Sequence, residues 1–336
     1  MTRSWPVGPA SGAALGVGLL AAVQARLNGQ FGAVLGDPLL AGAISLVTGL
    51  LLTVALIASR RSLRQSLGVL HRGVRNGRIP RWQLLGGLGG AVFVPGSVAL
   101  VPRLGVALFL TTLIAGQVAA SLLIDRIGFG PGGRRSVSRL RLLGAGITLT
   151  AVGLAASSGG RPRAGLPIGI LLCAALAVGV AVALQQALVG RLALSVGAPM
   201  VATFANFLLA TMVVASLVGV AHLAAGQAGG AVSLPSLPWH QWWLMLGGIM
   251  GVVFVAVSAA GVRSLGVLVF SVITVAGQLL GALAIDLLLP FTGQQVTWRL
   301  VAGVLGAIMA SLVLLIPVLS RRQVTYTATG PAAPPA

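Results

Sequence analysis

Long apolar runs separated by short polar stretches recur along the whole chain of 336 residues. A helix needs about 20 mostly apolar residues to cross a hydrocarbon core about 30 Å thick. No polar stretch is long enough to suggest a water-soluble domain. The pattern therefore predicts an all-α integral membrane protein with ten transmembrane helices, near residues 7–25, 39–58, 83–101, 105–124, 142–157, 167–189, 200–221, 242–261, 266–288 and 300–319.

The chain also matches itself at a constant offset of 161 residues. Chance agreement of Gly and Ala is common in apolar sequences, but the matches here extend to rarer residue types. They pair Gln24 with Gln185, Pro38 with Pro199, Trp82 with Trp243, Gln117 with Gln278, and Asp125 with Asp286. The offset predicts two five-span repeats, 1–161 and 162–322, followed by a disordered tail, 323–336. Five is odd, so the second repeat enters the membrane from the opposite face and is inverted.

The distribution of charge supports this topology. The chain has 22 arginines, no lysine and three acids, all aspartates, for a net charge of +19. So few charged residues (7%) exclude a soluble enzyme. Seventeen arginines fall on one side of the predicted membrane, mainly in the loops 59–81 and 126–141, and five on the other. Cytoplasmic loops carry the excess of arginine, so we expect both termini in the cytoplasm. The same loops suit contact with anionic lipids of the inner leaflet, and the charge does not require a nucleic-acid partner.

Two stretches of the first repeat carry a family resemblance. They are 22–32 (AVQARLNGQFG) and 36–49 (GDPLLAGAISLVTG), and the second copy matches through 184–191 and 197–207. Together with the Gly-Gln and Ile-Asp pairs ending at Gln117 and Asp125, they resemble the YdcZ-type family of the drug/metabolite transporter superfamily. The resemblance covers residues 8 to 319 as two fused units. It implies a bundle of two inverted five-span repeats that moves small solutes across the bacterial inner membrane, and it implies no substrate.

Polar residues within the spans are the candidates for a solute pathway, because a buried polar group in a membrane faces protein or a cavity. In span 4, steps of four residues place Gln117, Ser121 and Asp125 on one face. Residues predicted to line the pathway are Gln24, Asn28, Ser45, Gln117, Ser121, Gln185, Gln186, Asn206 and Gln278, and the candidates for ion or proton coupling are Asp125 and Asp286. In the alternative interpretation the amides form hydrogen bonds between helices, and the two aspartates only mark the ends of spans.

Small residues four positions apart predict close helix packing. Gly86 and Gly90 form one such pair, and the repeat offset matches them with Gly247 and Gly251. A side chain no larger than hydrogen lets two membrane helices approach closely.

The sequence indicates a transporter rather than an enzyme. His71, His222 and His240 lie in loops without metal-ligand spacing, and no catalytic grouping, cofactor motif or nucleotide-binding motif is present. We therefore predict a gradient-driven or exchange transporter for a small metabolite or drug-like solute, working by alternating access, with export favoured. The alternatives are a flippase for a lipid-linked substrate and a non-transporting subunit or scaffold. The pattern is compatible with a monomer or a homodimer.

Overall fold

The computed structural model describes residues 6–130, 139–156, 167–224, 239–265, 267–290 and 296–313. These residues form helices and turns, with no strand among them. The α-helices are α1 (Val7–Leu35), α2 (Pro38–Ser59), α3 (Arg61–Arg75), α4 (Gly87–Leu104), α5 (Val106–Ile127), α6 (Arg139–Ala156), α7 (Ile168–Val196), α8 (Pro199–Ala224), α9 (Gly247–Leu265), α10 (Val267–Leu288) and α11 (Trp298–Val313). Two 3₁₀ helices, Arg81–Gly86 and Trp239–Leu246, lead into α4 and α9.

Eight helices of the described chain are long and apolar enough to cross a membrane: α1, α2, α4, α5, α7, α8, α9 and α10. They coincide with eight of the ten predicted spans. The other two predictions fall on α6 and α11, whose apolar segments are shorter. Large apolar side chains cover the outside of the bundle, among them Leu51, Leu123 and Val220, each more than 60% exposed. Such a surface suits lipid rather than water.

The first helix of each repeat is longer than the sequence indicated. Helices α1 and α7 have 29 residues each and end at Gly36 and Gly197, whose φ angles of 70° and 73° stop the helix. The predicted span 7–25 ended at a polar stretch around Arg26. Helix α1 continues past it because Leu27 and Phe31 are buried against neighbouring helices. A helix of this length measures about 43 Å, more than the hydrocarbon core.

Contacts between helices follow the repeat offset. Helix α1 packs against α10 and α9, as α7 packs against α5 and α4, and α6 packs against α11. Gly18 of α1 lies against Thr274 of α10, and its match Gly179 lies against Leu113 of α5. Residues 113 and 274 are also 161 apart. The first helix of each copy is therefore packed against the fourth span of the other.

Helix α3, between α2 and α4, was not among the predicted spans. Its apolar face rests on the ends of α2, α7 and α8, where Leu70 is buried with Ile57, Val196 and Val201. Its other face carries exposed arginines. It is an amphipathic helix at the arginine-rich end of the bundle.

Candidate functional site

A buried polar cluster joins α1, α2 and α4. The Nδ2 of Asn28 donates to the Ser97 hydroxyl at 3.2 Å, and the Ser45 hydroxyl donates to the Asn28 Oδ1 at 3.0 Å. Asn28 and Ser97 are fully buried, and Ser45 nearly so. Gly247 of α9 covers the cluster so closely that a Cβ there would lie 3.0 Å from the Ser45 hydroxyl and nearer still to Asn28. The other repeat therefore closes this cluster with backbone.

The second polar cluster lies between α7 and α8. The Nε2 of Gln185 donates to the Asn206 Oδ1 at 3.0 Å. Gly90 of α4 faces this pair, because a Cβ at Gly90 would lie 3.5 Å from the Gln185 Nε2 and 3.6 Å from the Asn206 Nδ2. Again the other repeat contributes a glycine backbone.

The two clusters are related by the repeat offset. Gln24, one turn of α1 before Asn28, lies beside Gly251, just as its match Gln185 lies beside Gly90. The copies have diverged at the centre, where Asn28 corresponds to Val189. Ser258 corresponds to Ser97, and its buried hydroxyl has no hydrogen-bond partner within the described residues.

The chemistry of both clusters is that of uncharged hydrogen-bonding groups. An amide side chain offers two N–H donors and an oxygen with two lone pairs, and Asn28 uses one donor and one lone pair here. The remaining donor and lone pair of the Asn28 amide are likewise uncharged.

Among the residues predicted to line the pathway, the structure brings Asn28 together with Ser45 and Gln185 together with Asn206, and Gln24 lies one turn of α1 before Asn28. It does not bring the span-4 stripe into either cluster. Ser121 and Gln186 are exposed. Gln117 and Gln278 are half-buried, with no side-chain hydrogen bond in the described part of the chain. Their backbone nitrogens lie at the crossings with Gly179 and Gly18.

Asp286 has a specific place between the repeats. Its carboxylate accepts the backbone N–H of Val106 at 3.0 Å and of Ala107 at 2.7 Å, so it caps the first turn of α5. The side chain is 3% exposed, and the Arg26 guanidinium attracts it electrostatically. A carboxylate at a helix N-terminus is stabilised by free N–H groups and by the helix dipole. Its match Asp125 is half-buried at the end of α5.

Sequence reasoning missed a clamp at the arginine-rich end. Arg191 of α7 donates to the carbonyl oxygens of Phe129 at 2.7 Å and Gly128 at 2.5 Å. Its guanidinium also lies 5.5 Å from the centre of the Trp82 ring, which stacks on Phe129. The repeat offset did not single out Arg191, because the matching residue in the first copy is Gln30. Ser97 was also missed, although its agreement with Ser258 could have identified it.

Comparison with known proteins gives one family. The model of a family described as "Putative inner membrane exporter, YdcZ" matches residues 10–154 and 170–317, one segment in each repeat. No curated protein matches the chain. The predicted resemblance is confirmed, and an exporter family agrees with the prediction that the chain is not an enzyme.

Proposed function

The chain belongs to the YdcZ family of inner-membrane exporters, and from that premise we propose that it is a secondary transporter that moves a small metabolite or drug-like solute by alternating access. The observation that carries the proposal is the pair of uncharged polar clusters. Each is built on the first two spans of one repeat, with Ser97 of α4 added in the first cluster, and each is closed by glycines of the other repeat. A solute held there would contact both repeats.

Packing around α4 supports an inverted repeat. Near the end of α1, Gly32 lies against Val98 near the end of α4. Near the end of α7, Val189 lies against Gly86, directly before the start of α4. The later parts of the matched helices α1 and α7 therefore contact opposite ends of α4, a placement that agrees with inverted copies.

One contact breaks the symmetry between the repeats and supports alternating access. Helix α1 packs against α4, whereas the matched helices α7 and α9 are not packed together in the described residues. Other contacts of α4 have counterparts around α9, including those with α2 and α8. The contact is thus made between α1 and α4 and not between their counterparts α7 and α9. Such an asymmetry is expected of a transporter that occupies one of its two states.

The exposed arginines set the orientation that we propose, with both termini in the cytoplasm and the solute moving outward. The described arginines between α2 and α4 are exposed at one end, and Arg103 lies at the other. Single cysteines replacing Arg75 and Arg103 in a Cys173→Ser background test this. In right-side-out vesicles a membrane-impermeant maleimide should label position 103 and leave position 75 unlabelled; the reverse labelling would overturn the orientation.

Flux measurements test the transport proposal itself. Solutes that raise the thermal unfolding midpoint of the purified protein would be selected from a panel of neutral and cationic metabolites and drugs, and then assayed in proteoliposomes. Gln185→Ala removes the amide bonded to Asn206, whereas Gln186→Ala removes the neighbouring, exposed amide. We expect the first variant to lose transport at unchanged expression and the second to retain it. Equal flux in both variants would remove Gln185 from the pathway, and no flux of any stabilising solute would favour a scaffold.

A further inference from the structure

The turn after α3 builds a pocket at the arginine-rich end of the molecule. Gly77 has a φ of 69°, a left-handed conformation that turns the chain back on the helix. The N–H of Ile79 then donates to the carbonyl of Gly73 at 2.9 Å, and the Ile79 side chain covers Gly73 so closely that a Cβ there would lie 2.5 Å away. Arg78 is thereby carried back beside α3.

The pocket has a volume of about 460 Å³ and combines groups from both repeats. Its polar lining comes from Arg72 and Asn76 of α3 and its cap, Arg78 of the turn, and Ser195 of α7. Ser195 also donates to Gln83 at 3.2 Å, which fixes α7 against the segment that leads into α4. The base of the pocket is held in place by apolar packing, because Ile79 is buried in one cluster with Leu192 of α7.

The protein supplies no counter-charge here. Residues 60–81 include seven arginines and no acid. Two of the three acids are engaged elsewhere, since Asp37 caps α2 and Asp286 caps α5. The third, Asp125, lies at the end of α5 and does not line the pocket. Two guanidinium groups in one pocket repel each other unless an anion lies between them.

We propose that this pocket binds the phosphate group of an anionic phospholipid of the inner leaflet. Guanidinium groups bind phosphate through paired N–H donors, and the Asn76 amide adds uncharged donors. The pocket lies where α3 rests on the ends of α2, α7 and α8, three helices long and apolar enough to cross a membrane, so we place it at the level of the lipid headgroups. Because α3 belongs to the first repeat and Ser195 to the second, a bound headgroup ties the repeats together at this end. The inference does not depend on which solute is transported.

Native mass spectrometry of the detergent-purified full chain tests the site by titration with phosphatidylglycerol. The variant Arg72→Gln, Arg78→Gln removes the two pocket arginines. The matched control Arg61→Gln, Arg75→Gln removes two exposed arginines of α3 that do not line the pocket. We expect the pocket variant to bind phosphatidylglycerol about 25-fold more weakly, roughly fivefold for each arginine contact. The control should change by less than about twofold, and both should unfold at the wild-type temperature without lipid.

Three outcomes would overturn the proposal. An equal loss in both variants would indicate diffuse attraction to the basic face of α3. Phosphatidylcholine binding as tightly as phosphatidylglycerol would show that the anionic headgroup is not selected. Inorganic phosphate alone that raises the unfolding temperature as much as phosphatidylglycerol would identify a site for a soluble anion instead.

Discussion

A single methyl group at Gly18 should separate the two repeats, whereas the same methyl two residues earlier should not. A Cβ at Gly18 would lie 2.7 Å from the backbone nitrogen of Gln278 and closer still to the carbonyl oxygen of Thr274. Ordinary contact begins at 3.4 Å, so α1 and α10 must move apart by at least about 0.7 Å. A Cβ at Gly16, on the same helix, would meet nothing within 4 Å.

The two substitutions should therefore change stability in opposite directions. Alanine is favoured over glycine within a helix by up to about 1 kcal/mol, and at Gly16 nothing opposes that gain. At Gly18 the clash is with backbone, which cannot rotate away, and overpacking of this kind costs about 1–3 kcal/mol. Gly18→Ala should unfold below the wild type, and Gly16→Ala at or slightly above it.

Thermal unfolding of the purified variants, followed by the loss of the monodisperse peak in size-exclusion chromatography, measures the difference. The second repeat offers an independent copy of the experiment. A Cβ at Gly179 would lie 2.9 Å from the Gln117 nitrogen, and one at Gly169 would meet nothing within 4 Å. If Gly18→Ala and Gly179→Ala both unfold at or above their partners, the crossed packing of the repeats is refuted.

Two further predictions concern the contacts between helices. Asp286→Asn should lower the free energy of unfolding by about 1–2 kcal/mol, because both carboxylate oxygens of this buried residue accept backbone N–H groups and an amide has only one oxygen. Asp37→Asn should be nearly neutral, because Asp37 caps α2 through one oxygen alone, which Asn keeps. Equal melting of the two variants would contradict this. In a Cys173→Ser background, the double variant Gly32→Cys, Val98→Cys should form a disulfide that stops flux until it is reduced. A Cβ at Gly32 would lie 3.4 Å from the Val98 Cβ, which is near the Cβ–Cβ separation of a disulfide. Full flux in the oxidised protein would show that α1 and α4 need not separate.

Most of the fold could be predicted because apolar run length and the 161-residue offset are visible in the sequence without knowledge of how the helices pack. The length of α1 could not. Its polar stretch from Arg26 to Gln30 resembles a loop, and it remains helical because Leu27 and Phe31 pack against other helices. Helix α3 was likewise read as a loop, since 15 residues with four arginines cannot span a membrane.

Polar residues within the spans could be picked out from the sequence, but the pairs that they form could not. Asn28 and Ser45, on adjacent spans of one repeat, were predicted separately, and the hydrogen bond between them was not predicted. Contacts between the repeats, such as Asp286 with the first turn of α5 and Arg191 with Phe129, depend on how the two copies dock. A single sequence therefore indicates which helices and polar residues each repeat contains, but not how the two repeats pack against each other.

The position of Asp286 also limits how it could couple transport to protons. Its carboxylate contacts the backbone of Val106 and Ala107 rather than the amides of either polar cluster. A proton on Asp286 would replace a charged acceptor by a neutral acid and weaken the cap on α5, and so loosen the contact between α10 and α5. Coupling through this residue would therefore act on the rate at which the repeats separate, and it would appear in the maximal flux rather than in the affinity for the solute.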